Sequence, residues 1–294
     1  MSRSSKQISS SDFWEPKRIL RYVESHSSST QVIRVKTELG DGFLKSLGNP
    51  EGEHALACEW VGTQLAKWFH LPTFQFGLIV VTDEMQLPFY EVSKGGAKPG
   101  PAFITKSDEG ETWGGTEREL KRLFNPRDIS RLVVFDTWVR NRDRYFHQVG
   151  KPARKRFENV FLSEDTVEGH VLLRAMDHTH IFSSVGELLP KHLGREQIQD
   201  ENVYGLFPQF RAFLEEDAII EALAKMRQIK KAEIEAMIHT IPAEWDVSQA
   251  TRTALADFIL KRANYLSDEV TENKHLRPRI LKLLYPQGVL FPPA

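Results

Sequence analysis

The sequence predicts an α+β chain of two lobes, a β-rich amino-terminal lobe with one helix followed by a mainly helical carboxy-terminal lobe. Three observations carry that expectation. Across residues 18–47 apolar side chains recur at strand-like intervals, broken by His26-Ser27-Ser28-Ser29-Thr30 and by Gly40-Asp41-Gly42. Residues 53–69 then change to three- and four-residue spacing, the period of a helix. From Glu117 onward helical periodicity dominates. At 294 residues the chain can bury a substantial core, in one large domain or two lobes.

Residues 1–12 are polar and serine-rich, the composition of a disordered tip, and Trp14 is the first large apolar anchor. Segments 19–23, 31–35 and 42–45 read as three antiparallel strands. The helix of residues 53–69 carries Ala55, Leu56, Cys58, Val61, Leu65 and Phe69, with Pro72 just beyond its last turn. Strands at 76–81 and 103–106 follow, separated by a turn-rich stretch that includes Gly95-Gly96 and Pro99-Gly100-Pro101. Residues 110–115 read as a connector, which divides the chain into a lobe of residues 13–110 and a lobe of residues 111–294. In the second lobe residues 129–140 form an apolar helix, segments 160–162 and 171–175 a hairpin, and residues 210–228, 232–241 and 251–270 further helices. Leu255, Phe258, Ile259, Arg262 and Leu266 form a core stripe on the last of these.

Composition narrows the function. Thirty-nine basic residues stand against 40 acidic ones, a net charge of -1, so no global surplus points to nucleic acid or to an anionic membrane. The single cysteine, Cys58, cannot form an internal disulfide or a thiolate zinc cluster, and its place on an apolar helix face reads as packing. Residues 1–11 contain no apolar h-region, and no stretch approaches the roughly 20 apolar residues of a membrane span. A cytoplasmic location is the expectation.

Several polar residues stand where chemistry is done. Lys45 ends the third strand with its stem fixed between Leu44 and Leu47, and Glu59 lies among apolar neighbours on the following helix, where an unpaired carboxylate is unfavourable. A Lys45–Glu59 pair answers both, although either residue alone also reads as an ordinary surface charge. The apolar helix of residues 129–140 runs into Asn141-Arg142-Asp143-Arg144, which puts a carboxylate at an element end where it is held but not solvated away. About thirty residues on, Asp177 follows an apolar strand and Asn159 opens the other arm of the hairpin. Phosphoryl transfer uses this set: a cation on the phosphates, carboxylate and amide oxygens on Mg²⁺, and a carboxylate facing the incoming hydroxyl.

Asn141-Arg142-Asp143-Arg144, Asn159-Val160-Phe161-Leu162 and Met176-Asp177-His178 resemble the N-x-D-R, N-[IVL]-[IVLF]-[VL] and [IVLM]-D-[HY] motifs of HipA-type kinases and, more distantly, of phosphoinositide lipid kinases. The likeness is closer to the short stand-alone HipA-like kinases and spans about residues 18–265. It implies a bilobal protein-kinase-like fold that uses ATP and Mg²⁺. Lys45 would then lie on the nucleotide phosphates with Glu59 as partner, Asp143 would be the catalytic base, and Asn159 and Asp177 would bind the metal. It also implies that Ser27, Ser28, Ser29 and Thr30 replace a glycine-rich phosphate loop, a run that otherwise reads as a solvated turn. The adenine-binding hinge would fall near residues 103–107. A protein serine or threonine is the acceptor the likeness favours, with a small molecule or lipid headgroup allowed.

Two departures bear on activity. Tyr145 follows the Asp-Arg pair where the family has His, and Gln148 stands where it has Asn. The metal amide is therefore expected at Asn159, with residues 148–158 as an insertion, while Gln148 remains able to reach. A catalytically impaired nucleotide-binding module, a pseudokinase, is the rival reading. The insertion carries Lys151, Arg154, Lys155 and Arg156, a solvated loop by default or an acceptor-side patch for an acidic or phosphorylated substrate. His147, His178 and His180 lack a fourth ligand of matching spacing, so zinc is not expected and His178 reads as orienting the Asp177 turn. Asp136, on the apolar helix, reads as a structural network residue.

Overall fold

The computed structural model describes residues 13–148, 150–183, 186–272 and 275–285. The expected disordered tip, residues 1–12, lies outside them. Strands β1 (Ile19–Ser25), β2 (Ile33–Thr37) and β3 (Gly40–Lys45) are followed by helix α1 (Glu53–Trp68) and strands β4 (Phe76–Val81) and β5 (Gly100–Lys106). The five strands form one antiparallel sheet in the order β1-β2-β3-β5-β4.

Alternation along these strands decides what each face does. Ile33, Val35, Leu44, Ile79, Ala102 and Ile104 pack beneath Trp14, Leu87 and Phe89. Phe43, Lys45, Phe103 and Thr105 point the other way and line a cavity. Helix α1 packs on β5 and on the helical half, and it is buried on nearly every side. That is how Glu59 comes to lie in the interior.

Within this sheet two boundaries differ from expectation, each for a local reason. The β2–β3 turn is Glu38-Leu39 rather than Gly40-Asp41-Gly42, with Thr37 Oγ1 accepting from Leu39 N at 3.1 Å. Gly42 lies inside β3, paired with Val35 and Lys106, and it is glycine for packing, since a Cβ there would stand 2.7 Å from the Trp14 ring. Strand β5 starts at Gly100, so Pro101 belongs to the sheet. It pairs with Val80 at a level beyond the end of β3, where no neighbour needs its missing N–H.

The rest of the chain runs β6 (Gly110–Thr112), α2 (Glu117–Leu120), α3 (Arg127–Val139), β7 (Tyr145–Phe146), β8 (Arg154–Lys155), β9 (Val160–Ser163), β10 (Leu172–Ala175), α4 (Arg195–Ile198), α5 (Glu216–Met226), α6 (Lys231–His239), α7 (Gln249–Ser267), β11 (Glu269–Glu272), β12 (His275–Pro278) and α8 (Arg279–Leu284). The segment read as a connector is partly strand, since β6 pairs with β9 to extend the β9–β10 hairpin. The single helix expected at residues 210–228 is a 3₁₀ segment, Pro208–Phe213, then α5, separated by extended Leu214 and Glu215. The last helix ends at Ser267, and Val270 belongs to β11.

Helix α7 holds α3 in place. Trp138 Nε1 donates to Ile259 O at 2.9 Å, and the fully buried Arg262 donates to the carbonyls of Thr137, Trp138, Gln197, Ile198 and Asp200. Carbonyls at the end of α3 that lack helical partners are thereby satisfied. Burial lowers the Arg262 pKa to about 10, which still leaves the guanidinium charged at neutral pH. No helix among the described residues is long and apolar enough to cross a membrane.

Candidate active site

The site is assembled from the turn after α3. Arg140 caps that helix in the left-handed conformation, φ 57°, and donates to Asp200 Oδ2 at 2.7 Å. Asn141 Oδ1 accepts from the backbone N–H of Asp143 and Arg144 at 3.2 and 3.3 Å, which closes the turn. Asp136, fully buried on α3, accepts from Arg144 Nε at 2.7 Å and from Asn141 Nδ2 at 3.1 Å. Arg144 then donates to Met176 O at 3.0 Å and to Asn159 O. One buried guanidinium thus ties three separated stretches together, those bearing Asp143, Asn159 and Asp177. Asp136 is the network residue the sequence suggested.

Lys45 comes from the opposite wall. Its Nζ donates to Glu59 Oε2 at 2.6 Å, to Asp177 Oδ1 at 2.9 Å and to Thr179 Oγ1 at 3.0 Å. Glu59 Oε2 also accepts from His178 N at 3.1 Å and from Thr179 Oγ1 at 2.9 Å. Burial alone would lower the Lys45 pKa, but Asp177 and Glu59 outweigh it and hold the ammonium above its ordinary value. Asp177 is likewise held well below the carboxylate range, since Lys45 outweighs its burial. It sits in the left-handed region, φ 57°, a conformation Asp tolerates better than most side chains. His178 behind it is neutral, its pKa pushed down to about 3 by burial and by Arg144, and its Nδ1 lies 3.3 Å from Thr63 Oγ1.

Asp143 is nearly buried. Its Oδ2 accepts from Asn159 Nδ2 at 3.1 Å and lies 3.6 Å from His180 Nδ1, while its Oδ1 lies against the Arg154 guanidinium. Burial raises its pKa, yet His180 and Arg154 outweigh that and keep the carboxyl below its ordinary value. Contact with Asp143 raises the His180 pKa in return, and His180 Nε2 reaches Glu51 at 3.3 Å.

Between the two walls lies a cavity of about 420 Å³, lined by Lys45, Glu59, Asn159 and Asp177 at one end and walled by Phe43, Phe74, Phe103 and Phe161. The structure therefore brings Lys45, Glu59, Asn159 and Asp177 to one space and puts Asp143 one hydrogen bond behind Asn159. Of the serine run only Ser28 lines the cavity. Ser27 and Ser29 are exposed, Thr30 is buried, and Ser28 Oγ accepts from Val32 N at 3.0 Å. Gln148 is exposed and does not line it. Phe103 and Thr105 of the expected hinge segment do, as do Asp108 and Gly110 beyond it.

Sequence reasoning missed Thr179 and, Phe103 apart, the aromatic walls, and it named Arg154 only as one of four basic residues in the insertion. Thr179 sits beside the Asp177 motif and was within reach, whereas nothing in the local pattern marked Phe74.

The family model of the HipA-like kinases matches residues 43–277, a span that contains every residue of this cluster. The chain belongs to the HipA-like kinase family. Among solved structures it is similar to the Helicobacter pylori proinflammatory kinase CtkA, at 10% identity and a TM-score of 0.51, covering 84% of this chain and 94% of that one. At that identity the likeness concerns the fold alone, a bilobal kinase fold. No curated protein matches the chain.

Proposed function

We propose that this HipA-like kinase transfers the γ-phosphoryl group of ATP to a hydroxyl acceptor, a serine or threonine of a protein. The observation that carries the reading is the Lys45 ammonium held between Glu59 and Asp177 at the wall of a cavity that Asn159 also lines. Residues 13–110 supply the nucleotide-phosphate side and residues 111–294 the catalytic and metal side. Lys45 neutralises phosphate charge, and Glu59 keeps it from swinging away. The aromatic walls suit a purine ring.

The donor chemistry at Asn159 and Asp177 fits Mg²⁺. Asn159 spends its amide N–H on Asp143, which leaves its carbonyl oxygen for a cation, and Asp177 adds a carboxylate. Among the described residues no group of three or more His, Cys, Asp and Glu side chains is placed to hold a metal. Two protein oxygens are the usual share for Mg²⁺ that shares its shell with substrate phosphates. When bound, the cation would offset charge on the phosphates. Asp143, ionised by its surroundings, accepts the hydroxyl proton as the acceptor oxygen bonds to the γ-phosphorus, and the bond to the bridging oxygen breaks to release ADP.

Labelling by γ-³²P-ATP with Mg²⁺, comparing the native chain with Asp143→Ala and Asp177→Ala, tests this reading. We expect transfer by the native chain and a loss of about a hundredfold or more in each variant. Nucleotide binding with no turnover in any form would point instead to a binding module.

A further inference from the structure

Asp143 cannot meet an acceptor hydroxyl in the arrangement described. One oxygen, Oδ2, is engaged by Asn159, itself only 4% exposed and held on the β9 side of the cavity. The other, Oδ1, is buried and takes no aligned hydrogen bond, yet the Arg154 guanidinium lies against it as an ion pair. Oδ1 is thus the oxygen free to accept a proton, and Arg154 stands in front of it.

Of the groups around Asp143, Arg154 is the one built to leave. Its side chain is 50% exposed, against 20% for His180. It sits on β8, a two-residue strand that pairs only with β7. Nothing else ties the guanidinium down, since its only partner among the described residues is Asp143.

Displacement leaves a cation beside the incoming group. Lys155 on the same ribbon and Lys151 in the loop that joins its strands have no ion-pair partner among the described residues, and Arg156 is matched only by Glu158 at 3.2 Å. An acceptor with basic flanks would add repulsion at this point. An acceptor that carries its own carboxylate beside the hydroxyl would take the guanidinium from Asp143 and uncover Oδ1 in one exchange.

We propose that Arg154 is an acceptor-recognition residue, selecting an acidic peptide segment in which Asp or Glu flanks the accepting serine or threonine. This rests on the phosphotransfer reading above and adds the substrate class to it. Without acceptor, Arg154 parks on Asp143; with acceptor, it pairs with the flanking carboxylate.

Three synthetic peptide pools test it, each with a central serine flanked by Asp and Glu, by Lys and Arg, or by Ala and Gln. A charged hydrogen bond of this kind is worth about tenfold or more. The native chain should therefore label the acidic pool with kcat/KM at least about tenfold above the basic pool. Arg154→Glu should abolish or invert that ratio, and Arg154→Lys should retain part of it. Lys155→Glu, one residue along and directed to the other face of the ribbon, should change the ratio by less than about threefold, because a screened and solvated charge acts weakly at a distance.

A ratio unchanged in Arg154→Glu, an equal effect of Lys155→Glu, or Asp143-dependent labelling that ignores the flanks would overturn the role of Arg154 and leave the phosphotransfer reading standing. Asp143-dependent ATP hydrolysis with no peptide labelled would also overturn it. If the native chain neither hydrolyses ATP nor labels any pool, the phosphotransfer reading itself fails and takes this inference with it.

Discussion

The two carboxylates of the site live in different surroundings. Asp177 lines the cavity with its side chain 29% exposed, yet it is fixed by an ammonium that is itself shared with Glu59 and Thr179, behind a framework that Arg144 closes. Asp143 is the more buried of the two, 8% exposed and behind Asn159, but one of its neighbours is a half-exposed arginine on a two-residue strand. Redundant contacts fix the carboxylate that would face the phosphates, and an exchangeable contact covers the Asp143 oxygen that would meet the acceptor. A kinase needs that asymmetry, since nucleotide is common to all turnovers and must be met by preorganised charge. The acceptor, by contrast, has to enter and leave.

The largest expected effect breaks the interior framework. Arg144→Ala strands the buried Asp136 carboxylate and should lower stability by about 3–5 kcal/mol, read as a lower urea midpoint, because a buried charge that loses its partner is strongly destabilising. Next comes the cradle itself. Lys45→Met removes the cation beside the buried Glu59 and so should lower the urea midpoint too, while reducing phosphate transfer by about a hundredfold, measured as kcat/KM for ATP at a temperature where the variant is folded.

Titration sharpens the comparison, because the two regions respond to opposite changes of pH. Asp200, which anchors Arg140 behind the site, has its pKa lowered to about 2: its burial is outweighed by Tyr204, the Asn202 N–H and Arg140. Its contribution is therefore present above about pH 4 and lost as pH falls toward 2. Asp200→Asn should remove that part of the acid sensitivity from denaturation midpoints taken across the range. His180, beside Asp143, has a raised pKa, chiefly through that contact, so its contribution is present below about pH 6.5 and lost as pH rises through the raised value. His180→Asn should flatten the midpoints on the alkaline side. The smallest effect belongs to the serine run, where only Ser28 lines the cavity. Ser28→Ala should raise the KM for ATP by no more than a few fold, about the worth of one neutral hydrogen bond.

How much of this could be read from the sequence follows the same division. The interior was legible because burial constrains it: an acid on an apolar helix needs a partner, and Glu59 found Lys45. The order of strands and helices was legible for the same reason, since each buried face imposes a period. Polar stretches carry no such constraint. Strand β6 consists of exposed Gly-Glu-Thr and read as a connector, and the break at Leu214 and Glu215 interrupts a pattern whose apolar spacing runs on. Arg154 belonged to a basic run of four, and nothing in the run distinguished the one side chain that reaches Asp143. The serine run was conspicuous, but backbone geometry turns most of it away from the cavity.

The central claim is that Lys45, Asn159 and Asp177 converge on one Mg²⁺-nucleotide. It is tested most directly by titrating ATP calorimetrically into the native chain and into Asp177→Asn, each with Mg²⁺ and with EDTA. The account predicts that Mg²⁺ strengthens binding to the native chain by at least about tenfold, and that this gain disappears in Asp177→Asn. An equal gain from Mg²⁺ in both proteins would contradict it.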